Sequence, residues 1–219
     1  KKTEVMTIDG SNLSVVENFK YLGSTISSNL SLDVEINARI GKAATVMAKL
    51  NKRVWQNINL TMNTRLKVYQ ACLTSILLYG SDTWTPDARQ EAKLNSFHLR
   101  CLRRILGITW QDRIPNTTVL EKAKCSSIHA LLSQRRLRWL GHICRMGKGR
   151  IPKDLLYSEL DRGTRKTGCP LLRFKDVCKR DMKSAAIDIE SWELMVKDRS
   201  TWQHLVKEGI NLTENTRNM

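Results

Sequence analysis

The sequence predicts a mainly α-helical protein with a small N-terminal β-hairpin, in which a helical bundle is followed by a basic helical C-terminal segment. Three observations carry this expectation. From Leu32 onward apolar residues recur at steps of three and four, the period of a helix with one buried face. Short β-branched and aromatic runs separated by turn residues are confined to residues 3–26. Finally, 41% hydrophobic residues in a chain of 219 can supply a core, while 37 Lys and Arg against 21 Asp and Glu leave a net charge of +16.

In chain order, "EVMTI", the turn "DGSN", "LSVV" and "FKYLGSTI" read as a small hairpin or the edge of a three-stranded sheet. Leu32, Ile36, Ile40, Ala43, Met47, Leu50 and Val54 then line one helix face, with Ser31 the expected N-cap and Asp33 and Glu35 in the first turn, where the helix dipole favours acids. The opposite face carries Arg39, Lys42, Lys49, Lys52 and Arg53 and is expected to be solvated. A second helix, from about Thr61 to Tyr79, turns Leu66, Tyr69, Leu73 and Ile76 inward and stops at Gly80. A third runs from near Pro86 to Gly107 with Leu94, Phe97, Cys101 and Ile105 inward and Arg100, Arg103 and Arg104 in its last turns. "ITWQDRIPN" reads as a loop, Asn116 as the cap of "TTVLEKAK", and helix resumes from about Ser126 to Met146. Glycine and proline in "GKGRIP" and "RGTRKTGCP" mark a basic linker around "LLYSEL". Helices "LLRFKDVCKRDMKSA" and "DRSTWQHLVKEG" precede a polar tail expected to fray. The expected divisions are 1–28, 29–110, 111–160 and 161–219.

The charge points to a polyanionic partner, nucleic acid first and an anionic membrane surface second. No run approaches the roughly 18 apolar residues of a membrane span. Six cysteines, each alone and without a C-x-x-C pair, read as reduced intracellular thiols. G-x-S-x-G, G-x-x-x-x-G-K and H-E-x-x-H are absent, so no complete active site is expected. His98 with Cys101, Cys125 with His129, and His142 with Cys144 are the candidate zinc ligands by residue type. The last two project about 200° apart on a helix and cannot share a metal unless Gly141 breaks it, so no metal ligand is assigned.

Nucleic-acid binding rests on particular segments. Residues 134–153 hold seven Lys and Arg and no acid, and residues 162–183 hold eight against two acids. Trp110 and Trp139 stand beside basic groups, as stacking platforms do. In "RRLRWLGHICRM", Arg135, Arg138, His142 and Arg145 share one arc, Leu137, Leu140, Ile143 and Cys144 mostly occupy the opposite one, and Trp139 lies at the border. Arg136 falls on the apolar side, and the apolar side of "IHALL" is rotated relative to the rest, which predicts a break or burial on more than one face.

"KKTEVM", "FKYLGSTISS", "ARIGKA", "LLYGSDTW", "FHLRCLRRILGITWQDRIPN", "LRWLGHICRM" and "DRSTWQHLV", in this order, resemble the C-terminal part of the reverse transcriptase of LINE-type, non-LTR retrotransposons, nearest to the RTE-like clade. The resemblance runs from residue 1 to about 207. It implies that the chain is a piece of a longer RNA-directed DNA polymerase, after an endonuclease, fingers and palm. Residues 1–28 would then be the end of the palm with a primer-grip-like hairpin, 29–110 a thumb-like bundle, 111–160 a basic helical segment and 161–219 a C-terminal helical segment. The palm of that family binds Mg²⁺ through an Asp-Asp motif; no Asp-Asp pair occurs here, so catalysis and its metal are assigned to no residue and no cofactor is expected in this chain. Nor does the spacing fit the Cys-Cys-His-Cys knuckle of other LINE groups.

By the same resemblance Phe19, Tyr21, Leu22 and Gly23 match the primer grip, and Lys2 matches a position near the nucleotide site. Nucleic-acid contacts are expected from Lys2, Lys42, Lys49, Arg53, Arg100, Arg103, Arg104, Arg135, Arg138, Trp139, His142 and Arg145. The implied partners are RNA and DNA as a template-primer hybrid together with the upstream palm, fingers and endonuclease, and the implied location is nuclear. The competing expectation is a domesticated or decayed helical interaction module without polymerase activity.

Overall fold

The computed structural model describes residues 7–9, 11–158 and 173–218; Lys2, Cys169 and most of the glycine-rich linker lie outside them. Among the described residues ten α-helices follow two short antiparallel hairpins, so the chain is mainly helical with a β N-terminus. The expected three-stranded edge is instead two separate pairs, β1 (Thr7–Ile8) with β2 (Ser11–Asn12) and β3 (Asn18–Tyr21) with β4 (Ser24–Ser27). "LSVV" joins neither, because Val15 and Val16 face solvent between the two hairpins.

Helix α1 (Asp33–Lys49) buries Ile36, Ala43 and Met47, as its spacing requires. Its N-cap is Leu32 rather than Ser31. The Ser31 hydroxyl sits one position early, where it still accepts from the Asp33 amide at 3.2 Å. The first face assignment also needs correction: Arg39 is not solvated but 4% exposed, ion-paired to Glu35 at 2.6 Å one turn back. A buried guanidinium is tolerable because its donors are satisfied, here also by the Gly23 carbonyl.

The second predicted helix is α2 (Met62–Val68) and α3 (Ser75–Leu77) joined by a wide π-helical stretch, Tyr69–Thr74. Thr61 caps it through the Thr64 amide, and Gly80 ends it at φ +73°, a conformation glycine adopts without strain. Helix α4 (Ala88–Leu106) opens on a capping box between Asp87 and Gln90 and closes on Gly107 at φ +70°. In α5 (Asn116–Ala123) Asn116 lies inside the first turn, not at the cap: Pro115 holds that position, and the Asn116 side chain accepts from Arg103.

Helix α6 (Ile128–Arg145) is capped by Ser127 and unbroken, and the rotated apolar sides are explained by burial on two faces. Ile128 and Leu132 belong to a core with α1 to α5; Ala130, Leu137 and Leu140 belong to a second core. That second core is completed by α8 (Phe174–Ser184), α9 (Trp192–Met195) and α10 (Arg199–Asn218). Gly141 permits the α6–α10 crossing: a Cβ there would lie 2.4 Å from the Trp202 indole nitrogen, which donates to the Leu137 carbonyl. Short α7 (Ile151–Tyr157) ties down the end of α6, since Lys153 donates to the Cys144 and Met146 carbonyls. Helix α10 continues to Asn218, and Glu214 is anchored by the Ser127 amide at 2.6 Å.

Candidate nucleic-acid interface

Helices α1 and α4 run in the same direction. Arg89 bonds Asp33 at 2.9 Å near their N-termini, Lys93 meets Asn37 one turn on, and Arg104 bonds Asn51 at 3.0 Å at their C-terminal ends. Parallel packing with Asn51 against Arg104 therefore brings the C-terminal end of α1, which carries Lys49 and leads into Lys52 and Arg53, to the C-terminal end of α4, which carries Arg100, Arg103 and Arg104. These cations sit at helix ends for a local reason as well, since the dipole favours positive charge in the last turn. An open cleft of about 500 Å³ is lined by Ser96, Leu99, Arg100, Arg103, Arg104, Ile108 and Asn116, with no acid among them. Arg103 is held by the Ile114 carbonyl at 2.7 Å, whereas Lys42, Lys49, Arg53 and Arg100 are exposed and form no ion pair among the described residues. Such a surface can take phosphate groups without first breaking internal pairs.

The α6 row is elsewhere. Glu91, near the start of α4, contacts His129 (2.7 Å) and Arg136 (3.9 Å), whereas His98, two turns later, meets the Ser126 backbone just before α6, so α6 runs antiparallel to α4. Glu91 and Arg104 are separated by about 20 Å of helix at 1.5 Å per residue, and the row from Arg135 to Arg145 lies toward the opposite end of α4 from Arg104. Within this row the arginines differ. Arg135 donates to the Leu78 carbonyl at 2.8 Å and Arg145 to the Val196 carbonyl at 2.9 Å, while Arg138 and His142 are exposed. Trp139 is half-buried, its ring 5.2 Å from that of His142. Arg136, on the apolar side, is 2% exposed and bound by both oxygens of Asp181.

The β3–β4 hairpin is bolted to α1. Glu35 accepts from the Thr25 amide at 2.7 Å, Arg39 donates to the Gly23 carbonyl at 2.6 Å, and the Arg39 guanidinium lies 4.4 Å from the centre of the Tyr79 ring. Tyr79 in turn donates to the Leu22 carbonyl at 3.0 Å. Leu22 and Gly23 both have positive φ, as a two-residue hairpin turn needs, and Gly23 meets that need without strain. Phe19 and Tyr21 stack on one exposed side of β3, and Ile26, paired with Phe19, extends the same apolar face. Arg39 escaped the reading by periodicity, which takes a charged residue off the apolar stripe as solvated; Glu35 one turn earlier, at a spacing where opposite charges pair, was the available signal.

The zinc candidates are dispersed. His98 is buried on Tyr69, His129 pairs with Glu91, Cys125 meets Gln70, and Cys144 faces Tyr157. Among the described residues no three His, Cys, Asp or Glu side chains are grouped to hold a metal. Burial pushes the Cys101 thiol up to about 11 despite Arg100 and Arg104, and raises Cys125, Cys144 and Cys178 too. These thiols stay protonated and unreactive near neutral pH. Among the described residues no helix is long and apolar enough to cross a membrane.

No family model matches the sequence, and no solved structure matches it. The chain is 24% identical over 204 residues to a transposon-derived protein of Caenorhabditis elegans, covering 90% of this chain and 72% of that protein. It is also 27% identical over 109 residues to an RNA-directed DNA polymerase from the mobile element jockey of Drosophila funebris, covering 49% of this chain. That match spans 12% of the polymerase. These similarities relate the chain to sequences of retrotransposon origin.

Proposed function

We propose that this chain is a non-catalytic, C-terminal part of a non-LTR retrotransposon reverse transcriptase, of the RTE-like kind, and that it grips the backbone of a template-primer duplex. One observation carries the reading: the Arg104–Asn51 contact joins the end of α1, which carries Lys49 and leads into Lys52 and Arg53, to the end of α4, whose Arg100, Arg103 and Arg104 line a cleft with no acid among its lining residues. The α1–α5 bundle acts as a thumb in this reading, and the RNA-DNA hybrid is its partner. The exposed Phe19, Tyr21 and Ile26 face of the hairpin is where the upstream palm would pack, leaving the Leu22-Gly23 turn at the primer end. The Arg138, Trp139 and His142 row forms a second contact, farther along the nucleic acid. Polymerase chemistry and its Mg²⁺ belong to the palm, and the work of such an element places it in the nucleus.

The test is binding of a short RNA-DNA hybrid between 50 and 200 mM salt. Neutralising six or more phosphates lowers affinity by about 10³-fold over this range. Affinity that does not change with salt contradicts the proposal, and so does nucleotide incorporation by this chain with primer-template and Mg²⁺.

A further inference from the structure

Four of the six tryptophans are buried in the two cores and Trp139 is half-buried, whereas Trp110 is 85% exposed. It sits in the loop of residues 108–115, which begins at Ile108 and leads into Asn116, both of them lining the arginine cleft. The loop is pinned at several points. The Thr109 amide and hydroxyl both donate to Asp112, the Arg113 amide donates to the Trp110 carbonyl, and the Ile114 carbonyl accepts from Arg103. The backbone and hydroxyl bonds from Thr109 also hold the Asp112 carboxyl below its usual range, so it stays an acceptor at neutral pH. An exposed aromatic side chain on a loop whose backbone is so restrained meets a flat partner with little further ordering of the loop.

We infer that Trp110 is a stacking platform for an unpaired base, and that the strand carrying it runs its phosphates past Arg100 and Arg104 in the adjoining cleft. The ligand is thus single-stranded nucleic acid, RNA or DNA, continuous with the duplex held at the α1 and α4 ends. This rests on the reading of that surface as a backbone grip. Base-on-indole stacking tolerates any base, so little sequence preference is expected. An intact duplex keeps its base faces stacked internally and has none to offer the indole, and this is what separates the two modes of binding.

The experiment measures the affinity of wild type, Trp110→Ala and Trp110→Phe for a blunt RNA-DNA hybrid, the same hybrid with a six-nucleotide template overhang, and the free single strand. Trp110→Ala should lower overhang and single-strand affinity about tenfold, leave blunt-hybrid affinity within about twofold, and be largely rescued by Trp110→Phe. Because Trp110 is outside both cores, unchanged thermal unfolding of the variants is expected and verifies their fold. An overhang that adds nothing to wild-type affinity, or a gain that survives Trp110→Ala, overturns the inference. If wild type fails on the blunt hybrid, the duplex-grip reading falls, but a Trp110-dependent affinity for the single strand still supports the platform.

Discussion

Asp181 and Arg136 face each other with almost no water between them, at 2.6 and 3.1 Å, linking α8 to α6. Removing one member of such a pair leaves the other charge in a low-dielectric site, which costs far more than the pair contributes net. Asp181→Ala is expected to destabilise the protein by about 3 kcal/mol, and the apolar double replacement Arg136→Met with Asp181→Leu to recover most of it. Urea unfolding of the two variants beside wild type checks this; Asp181→Ala as stable as wild type would show that the pair is not buried as described. A second buried polar contact governs pH. Burial pulls the His98 imidazole down to about 4 from its ordinary 6.5, and its Nδ1 shares a buried hydrogen bond of 2.7 Å with the Tyr69 hydroxyl. Between those values the unfolded chain binds a proton that the folded chain refuses, so stability falls as pH drops from 6.5 to about 4, by up to about 1.4 kcal/mol per unit. His98→Gln should flatten that part of the pH profile of thermal unfolding, and an unchanged slope would place the acid sensitivity elsewhere.

At the scale of elements, the hairpin depends on α1 more than on its own ladder of four paired residues, since two-stranded hairpins are marginal in water. Arg39→Ala removes the bond to Gly23, the contact with Tyr79 and the counter-ion of buried Glu35 together. The Thr25 amide and the β3–β4 ladder should then exchange hydrogen at least about tenfold faster while the α4 amides change little. Equal protection in the variant would mean that the hairpin holds by itself. This anchoring shows where the sequence stopped being legible. Periodicity placed α1, α2 and α4 because one apolar stripe per helix suffices to orient them, whereas α6 serves two cores and its apolar side shifts along its length. It could not place Arg39 or Arg136, whose burial depends on acceptors from distant segments, the Gly23 carbonyl and Asp181. Nor could it tell that Arg135 and Arg145 cap carbonyls of other elements, which composition does not encode. Trp110 was visible as an aromatic beside basic residues, but its exposure is a property of the folded loop.

Across the whole molecule, two cores share α6, and the basic residues separate into two regions toward opposite ends of α4. The sequence listed the cations of both regions without separating them, because the direction of α1 relative to α4 is set by tertiary contacts such as Arg104 with Asn51. The central claim is that the joined ends of α1 and α4 are the backbone grip, with electrostatics supplying the affinity. It is tested most directly by the slope of log affinity against log salt for an RNA-DNA hybrid. Wild type is compared with the triple variant Lys49→Gln, Arg53→Gln, Arg100→Gln. Each lost phosphate contact reduces the slope by roughly 0.7 to 0.9, so the triple variant should show a slope about two units shallower and weaker binding at low salt. A triple variant with the wild-type slope and affinity would contradict the account.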